Sequence, residues 1–170
     1  MSPFLASFRI QLGLIAAVCA GLIGFALYAQ YHLHLEPCPL CIFQRIGIIA
    51  VGVLALLASL HTPRARWCRG AWAFTVLLAC CAGAMVSARH VWLQHIPEGQ
   101  VPACGPGLSY LMESLPGYLD VIKTVLQGSG ECAVVDWVLL GLSMPAWTLL
   151  CFVGLGNWAL WATFREGATR

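Results

Sequence analysis

The chain is predicted to be an all-α membrane protein, a four-transmembrane-helix bundle with one long loop on its outer side. Three observations carry this. First, 60% of its 170 residues are hydrophobic and only 9% are charged, against roughly 25% charged in ordinary soluble domains. Second, four apolar runs are each long enough to cross a hydrocarbon core of about 30 Å, which takes about 20 helical residues. Third, most of the basic residues fall between those runs on one side by alternation. A net charge of +2 without a basic cluster interleaved with aromatics excludes a nucleic-acid partner. The lipid bilayer is the partner that composition implies.

The first run, about Ile10 to Ala29, exceeds the roughly 7 to 15 residues of a signal-peptide core and has no small-x-small cleavage site after it, so it reads as a span. A short loop of about residues 30–41 follows. The second and third runs are about Ile42 to Leu60 and Ala71 to Ala88. A long polar loop, about Arg89 to Met144, then leads to the last run, about Pro145 to Phe164. Residues 1–170 thus form a single integral membrane domain. Arg9, Arg64, Arg66, Arg69, Arg165 and Arg170 share one face, which places that face and both termini in the cytoplasm. Both cysteine-bearing loops then lie on the opposite, oxidising side.

Small residues recur at four-residue spacing, as Ala16, Ala20 and Gly24 in the first span and Ala79, Gly83 and Ser87 in the third, a pattern that lets helix backbones approach. Trp67, Trp72, Trp158 and Trp161 at the inner boundary, and Tyr28, Tyr31, Trp92 and Trp147 at the outer, read as interfacial anchors. Pro97, Pro102, Pro106, Pro116 and Gly117 exclude one continuous helix from the long loop. Two short amphipathic helices remain, one presenting Leu108, Leu111, Met112 and Leu115, the other Leu119, Ile122 and Leu126. Both are expected to lie on the bilayer surface and to leave the loop cysteines mobile.

The chemistry is expected from two cysteine pairs on one side of the membrane. Cys38-Pro39-Leu40-Cys41 stands at the mouth of the second span. Cys41 falls in the first helical turn, where orphan N–H groups and the helix dipole favour a thiolate. Arg45 is four residues on, one turn deeper on the same face, and a buried guanidinium calls for a partner. Snorkelling to headgroups would explain Arg45 alone. Beside Cys41 it reads as a donor to a reduced oxyanion, and the mobile two-electron acceptor dissolved in hydrocarbon is a quinone. His90, at the outer end of the third span, can pass protons to such a quinone or merely meet headgroups.

Cys104 and Cys132, the cysteines of the long loop, are placed to form a disulfide among prolines and glycines that suit flexible, exposed chain. That bond is either a structural staple or an exchange partner for the C-x-x-C. Cys19, Cys80, Cys81 and Cys151 lie in spans as small hydrophobes, and Cys68 lies in the reducing inner loop. None of the five is assigned a redox role. A rival reading uses His32, His34, Cys38 and Cys41 as four metal ligands, but it leaves Cys104 and Cys132 unexplained. A transporter would need ionisable residues at mid-membrane, and these spans have almost none.

The segments Pro37-Cys38-Pro39-Leu40-Cys41-Ile42-Phe43-Gln44-Arg45, Arg89-His90-Val91-Trp92-Leu93-Gln94 and Gly128 to Cys132, continuing through Trp137 to Gly141-Leu142-Ser143-Met144-Pro145-Ala146-Trp147, together resemble the bacterial disulfide bond formation protein B family over nearly the whole chain. The resemblance implies an inner-membrane, quinone-dependent protein-disulfide oxidoreductase. Its partners would be a DsbA-like periplasmic thioredoxin-fold oxidase and, through ubiquinone or menaquinone, the membrane quinone pool and respiratory chain. It implies catalytic roles for Cys38, Cys41, Cys104 and Cys132: Cys104 forms the mixed disulfide with the partner, Cys132 pairs transiently with Cys38, and Cys41 meets the quinone near Arg45 and His90. A strong dithiol oxidant at about −120 mV needs such an acceptor, because ordinary thiol exchange cannot reoxidise it. Gln44 departs from the glutamate that some members carry before the arginine. A quinone-linked thiol oxidase serving a dedicated substrate is the nearest alternative.

Overall fold

The computed structural model describes residues 8–61, 65–97, 110, 112, 113, 117–128, 132–135 and 137–167. Four long helices dominate: α1 (Phe8–His32), α2 (Pro39–His61), α3 (Arg66–Leu93) and, after the outer loop, α5 (Met144–Gly167). All four are long and apolar enough to cross a membrane. Between α3 and α5 lie the short helix α4 (Tyr118–Gln127) and a hairpin of β1 (Val138–Leu139) and β2 (Leu142–Ser143). Each long helix runs past its apolar stretch. At the outer end Gln30, Cys41 and His90 are therefore all helical, and polar side chains are held on rigid backbone.

The helices form a closed ring in which α1 packs on α2, α2 on α3, α3 on α5 and α5 back on α1. Each neighbouring pair is tied by hydrogen bonds that fix its direction. Arg9 Nε donates to the Ser59 carbonyl (3.0 Å), joining the start of α1 to the end of α2. Gln44, early in α2, meets His90, late in α3 (3.0 Å). Ser143 Oγ donates to Gln94 Oε1 (2.7 Å) across the α3–α5 boundary, and Trp158 Nε1 donates to Gln11 Oε1 (2.6 Å). Every adjacent pair is antiparallel. In hydrocarbon no water can satisfy such groups, so these take partners from the next helix, while Thr75, Ser87 and Asn157 bond carbonyls of their own helix.

The core repeats at alternating steps of three and four. It takes Leu12, Ile15 and Cys19 from α1, Ile48, Val51, Ala55 and Ala58 from α2, Val76 and Cys80 from α3, and Phe152, Leu155, Ala159 and Ala162 from α5. This period puts one stripe of each helix inward, while Leu14, Ile49, Leu57, Phe74, Leu78 and Val153 point outward, where lipid takes the place of water. The small-residue stripe of α3 packs as expected around Gly83 and Ser87. That of α1 does not, because Ala20 and Gly24 are exposed and a Cβ on Gly24 would meet nothing within 4 Å. Strict four-residue spacing drifts off a 3.6-residue period, and the larger Ile15 and Cys19 occupy the inward face instead.

Phe152 is the tightest wedge. A Cβ on Gly83 would lie 2.3 Å from its ring, and one on Gly47 would lie 3.0 Å away. The ring thus rests against two helix backbones.

α4 is amphipathic, with the faces assigned by packing. Val121 and Val125 are buried against Leu40, Leu93 and Cys132, whereas Leu119, Ile122 and Leu126 are exposed and free to meet lipid. Arg89 Nε donates to the Leu126 carbonyl (3.1 Å), a cation on the last turn of α4 where the dipole favours one. Gly128 ends α4 at φ +86°, and any Cβ there would lie 2.4 Å from Leu93; only glycine meets both demands. Of the other expected loop helix, Tyr110, Met112 and Glu113 are helical, and Leu108, Leu111 and Leu115 lie outside the described residues.

Gly83→Ala is expected to lower stability by about 1–3 kcal/mol through overpacking against Phe152. Gly13→Ala, which meets nothing within 4 Å, should be close to neutral. Thermal midpoints of the purified variants in detergent test this, with Phe152→Leu expected to restore part of the loss in the Gly83→Ala background.

Candidate functional site

The C-x-x-C begins α2 as a helix cap. Pro39 is the first helical residue, where its missing N–H costs nothing. Cys38 precedes it as N-cap, its carbonyl accepting from Ile42 N (3.2 Å) and its sulfur accepting from Cys41 N (3.4 Å). The orphan N–H of the first turn therefore points at the Cys38 sulfur. Cys41 lies in that first turn as expected, and its own N–H is taken by the Cys38 sulfur because a side chain at N-cap reaches back over the turn. The Cys41 sulfur receives the Cys38 Sγ–H at 3.3 Å. That separation exceeds the roughly 2.05 Å of a disulfide, so both groups are thiols.

Cys132 meets them from the outer loop. It sits in a short turn and is 1% exposed, packed with Leu40, Leu93, Val121 and Val125. Its sulfur, that of Cys38 and a ring nitrogen of His90 all lie within 4.8 Å of one another. Cys132 is thus buried rather than exposed as expected: α4 docks on the bundle and carries the following turn down with it. Cys104 lies outside the described residues, and so does any pairing it makes.

His90 is 2% exposed. Its Nε2 is 3.8 Å from Cys38 Sγ, and its Nδ1 is 3.0 Å from the Gln44 carboxamide. A headgroup role is excluded by that burial. Gln44, 3% exposed, is the residue whose role the sequence reading left open, and it holds the imidazole in place.

Arg45 finds its partner on α1. One guanidinium nitrogen donates to Gln30 Oε1 and the other to the Ala26 carbonyl at 3.2 Å. Two of its five donors are thereby fixed, and the rest of the fork borders a cavity. Gln30 escaped the sequence reading, although a polar residue in the last turns of a span is the signal that would have found it.

That cavity, about 600 Å³, lies among the outer ends of α1, α2, α3 and α5. Its apolar walls come from Leu22, Phe25, Ala26, Ile48 and Cys151, and its polar wall from Cys41, Gln44, Arg45 and His90. Cys151, read as a packing residue, thus lines it. The β1–β2 hairpin contributes Trp137 and Leu139. Trp137 lies 6.2 Å from the Phe25 ring, and Trp147 Nε1 donates to the Leu139 carbonyl (3.0 Å). A pocket of this size, apolar with a few convergent polar groups, is the form that small-molecule sites take.

The alternative metal set is not assembled. His32 is exposed and stacks on Tyr28 at 4.9 Å, and His34 is exposed at φ 53°. Among the described residues the cluster of such donors is Cys38, His90 and Cys132.

The sequence profile of the family described as disulfide bond formation protein DsbB matches residues 8–162. The chain belongs to this family. It is similar to the disulfide bond formation protein B of Chromobacterium violaceum, 54% identical over 153 residues that cover 90% of this chain and 91% of that protein. Against the disulfide bond formation protein B of Xanthomonas campestris pv. campestris it is 47% identical over 170 residues, covering 100% and 98%. Against that of Acinetobacter baumannii it is 48% identical over 161 residues, covering 94% and 92%. The chain is accordingly a multi-pass membrane oxidoreductase of disulfide formation.

Cys38 and Cys132 should cross-link directly. In a Cys41→Ser, Cys104→Ser variant, mild oxidation is expected to give a Cys38–Cys132 disulfide, read by peptide mapping, in preference to any bond involving Cys19, Cys80 or Cys81. Recovery of Cys38 mainly unpaired would contradict the docked turn.

Proposed function

We propose that the chain reoxidises a soluble dithiol oxidase and delivers the electrons, through two cysteine pairs, to a membrane quinone. The observation that carries this is the junction at Cys38: a loop thiol, Cys132, on one side, and on the other Cys41, which borders an apolar cavity with a guanidinium in its wall. Two electrons and two protons leave the partner dithiol and reduce the Cys104–Cys132 bond; Cys132 then attacks a Cys38–Cys41 disulfide at Cys38, so that the loop disulfide re-forms and Cys38 and Cys41 become the thiols that hold the two electrons. A quinone held in the cavity takes up those two electrons and two protons. The residues fit such a group: aliphatic walls for a flat ring, unused Arg45 donors for a carbonyl oxygen, and His90 within the same wall. Ubiquinone or menaquinone meets that description.

The partner is read as a DsbA-like thioredoxin-fold oxidase of the periplasm. The chain is placed in the inner membrane with both termini cytoplasmic, because Arg9 and α3's first residues Arg66 and Arg69 lie at the end of the bundle opposite the thiols. What supports this is the positive-inside bias together with an outer face where disulfides persist.

Arg45→Ala is expected to raise the apparent KM for quinone about 10- to 100-fold, the loss of one charge-assisted hydrogen bond. Single-turnover exchange between the loop disulfide and a dithiol partner, measured without quinone, should hardly change. Arg45→Lys should restore only part, since a point charge lacks the planar fork that also grips Gln30 and Ala26. Unchanged quinone kinetics in Arg45→Ala would remove the quinone from this cavity.

A further inference from the structure

We propose that Cys38, His90 and Cys132, when reduced, form a binding site for a thiophilic divalent cation of the zinc class, and that occupying it locks the outer loop onto the bundle. Three donors of the right kind are already gathered, one sulfur from the cap of α2, one from the outer-loop turn and one imidazole from α3, all within 4.8 Å of one another. Tetrahedral zinc with bonds of about 2.3 Å to sulfur and about 2.0 Å to nitrogen puts its ligand atoms about 3.5–3.8 Å apart. Cys38 Sγ and His90 Nε2 stand at 3.8 Å, and since all three atoms lie within 4.8 Å of one another the remaining edges need to close by no more than about 1.3 Å to reach that geometry. His90 and Cys132 are 2% and 1% exposed, which keeps competing water from two of the three ligands.

The surroundings of the histidine are those of a metal ligand. A ligating imidazole ordinarily donates its other N–H to a fixed acceptor, and Gln44's carboxamide is 3.0 Å from Nδ1. Turned so that Oε1 accepts from Nδ1–H, it leaves the Nε2 lone pair facing Cys38. Cys41, 3.3 Å from Cys38, lies outside the cluster and borders the cavity, so the fourth position falls to water. Binding forms two metal–sulfur bonds and breaks two S–H bonds, releasing two protons; no oxidant or reductant takes part. Any disulfide made by Cys38 or Cys132 removes a ligand, so the site exists only in the reduced chain. Resting here on the proposed relay, zinc and electron transfer compete for the same two sulfurs. An occupied site would hold Cys132 on Cys38 and stop the loop pair from re-forming.

The test uses the full-length protein, reduced and metal-free in lipid nanodiscs, titrated with Zn²⁺ against a chromophoric chelator and with Co²⁺ as a spectroscopic probe. One equivalent should bind with release of two protons, Co²⁺ should show the visible bands of a tetrahedral thiolate site, and prior oxidation should abolish both. Cys38→Ser and Cys132→Ser should each weaken Zn²⁺ by about 100-fold or more, with His90→Gln and Gln44→Leu weakening it by about 10- to 100-fold. Cys41→Ser should leave affinity within about threefold if its sulfur is no ligand. Circular dichroism confirms that each variant keeps its helices. No uptake by the reduced wild type overturns the proposal, as does uptake lost in Cys41→Ser but kept in Cys132→Ser, which would put the ion on the C-x-x-C. Dithiol-to-quinone turnover of the metal-free protein is measured in parallel. Turnover without zinc uptake removes the metal site alone, and zinc uptake at these three residues without turnover supports the site and removes the relay.

Discussion

Because hydrocarbon offers no hydrogen bonds, a polar side chain on a membrane helix must be satisfied within the protein, and where its own helix cannot reach it another helix must; the arrangement of this protein follows from that one constraint. The bonds Arg9–Ser59, Gln44–His90, Gln94–Ser143 and Gln11–Trp158 sit at the two ends of the bundle, near the membrane boundaries, and leave the middle to aliphatic packing. Each also fixes how far one helix slides along the next. Gln44–His90 is therefore both a register pin between α2 and α3 and the support of an imidazole beside a reactive sulfur. Loosening it would move the chemistry as well as the fold.

Helix starts do similar double work. A proline at the first position and a cysteine at the cap stop α2 cleanly and aim the first-turn N–H at the Cys38 sulfur, which thereby becomes the thiol held by backbone. Cys41, one turn in, is left to face the cavity with Arg45. Both sulfurs of the motif line the cavity, and Cys38 in addition adjoins His90 and the turn that carries Cys132.

Much of this could be read from the residues, for reasons particular to membranes. Composition and run length gave four spans because a hydrocarbon slab tolerates little else, and the spacing of Cys41 and Arg45 placed both on one cavity wall because a helix is rigid over one turn. What escaped were contacts set by the outer loop and by helix rotation. The burial of Cys132 depends on Val121 and Val125 docking against Leu40 and Leu93, a second apolar face of α4 that the periodicity reading did not pick out beside the Leu119, Ile122 and Leu126 face it assigned to the bilayer surface. On a membrane surface both faces can be apolar, one for protein and one for lipid. Hydrophobic pattern then cannot choose between them. The inward stripe of α1 was misjudged for a related reason, small residues being useful only where a neighbouring helix comes close.

The docked loop also bears on how a two-pair relay keeps its direction. On the proposed reading Cys38 serves two disulfides in turn, and its sulfur lies 3.3 Å from that of Cys41 and within 4.8 Å of that of Cys132. Thiol–disulfide exchange requires three sulfurs brought nearly into line, and here side-chain rotation at a helix cap suffices where a helix shift would otherwise be needed. The loop contributes by holding Cys132 against this junction through α4, which packs on Leu40 and Leu93 and is clasped by Arg89. Cys132 is thereby dry beside Cys38, and on the proposed reading the turn that carries it must lift for a soluble partner to reach it. The bundle itself needs no conformational change for that exchange.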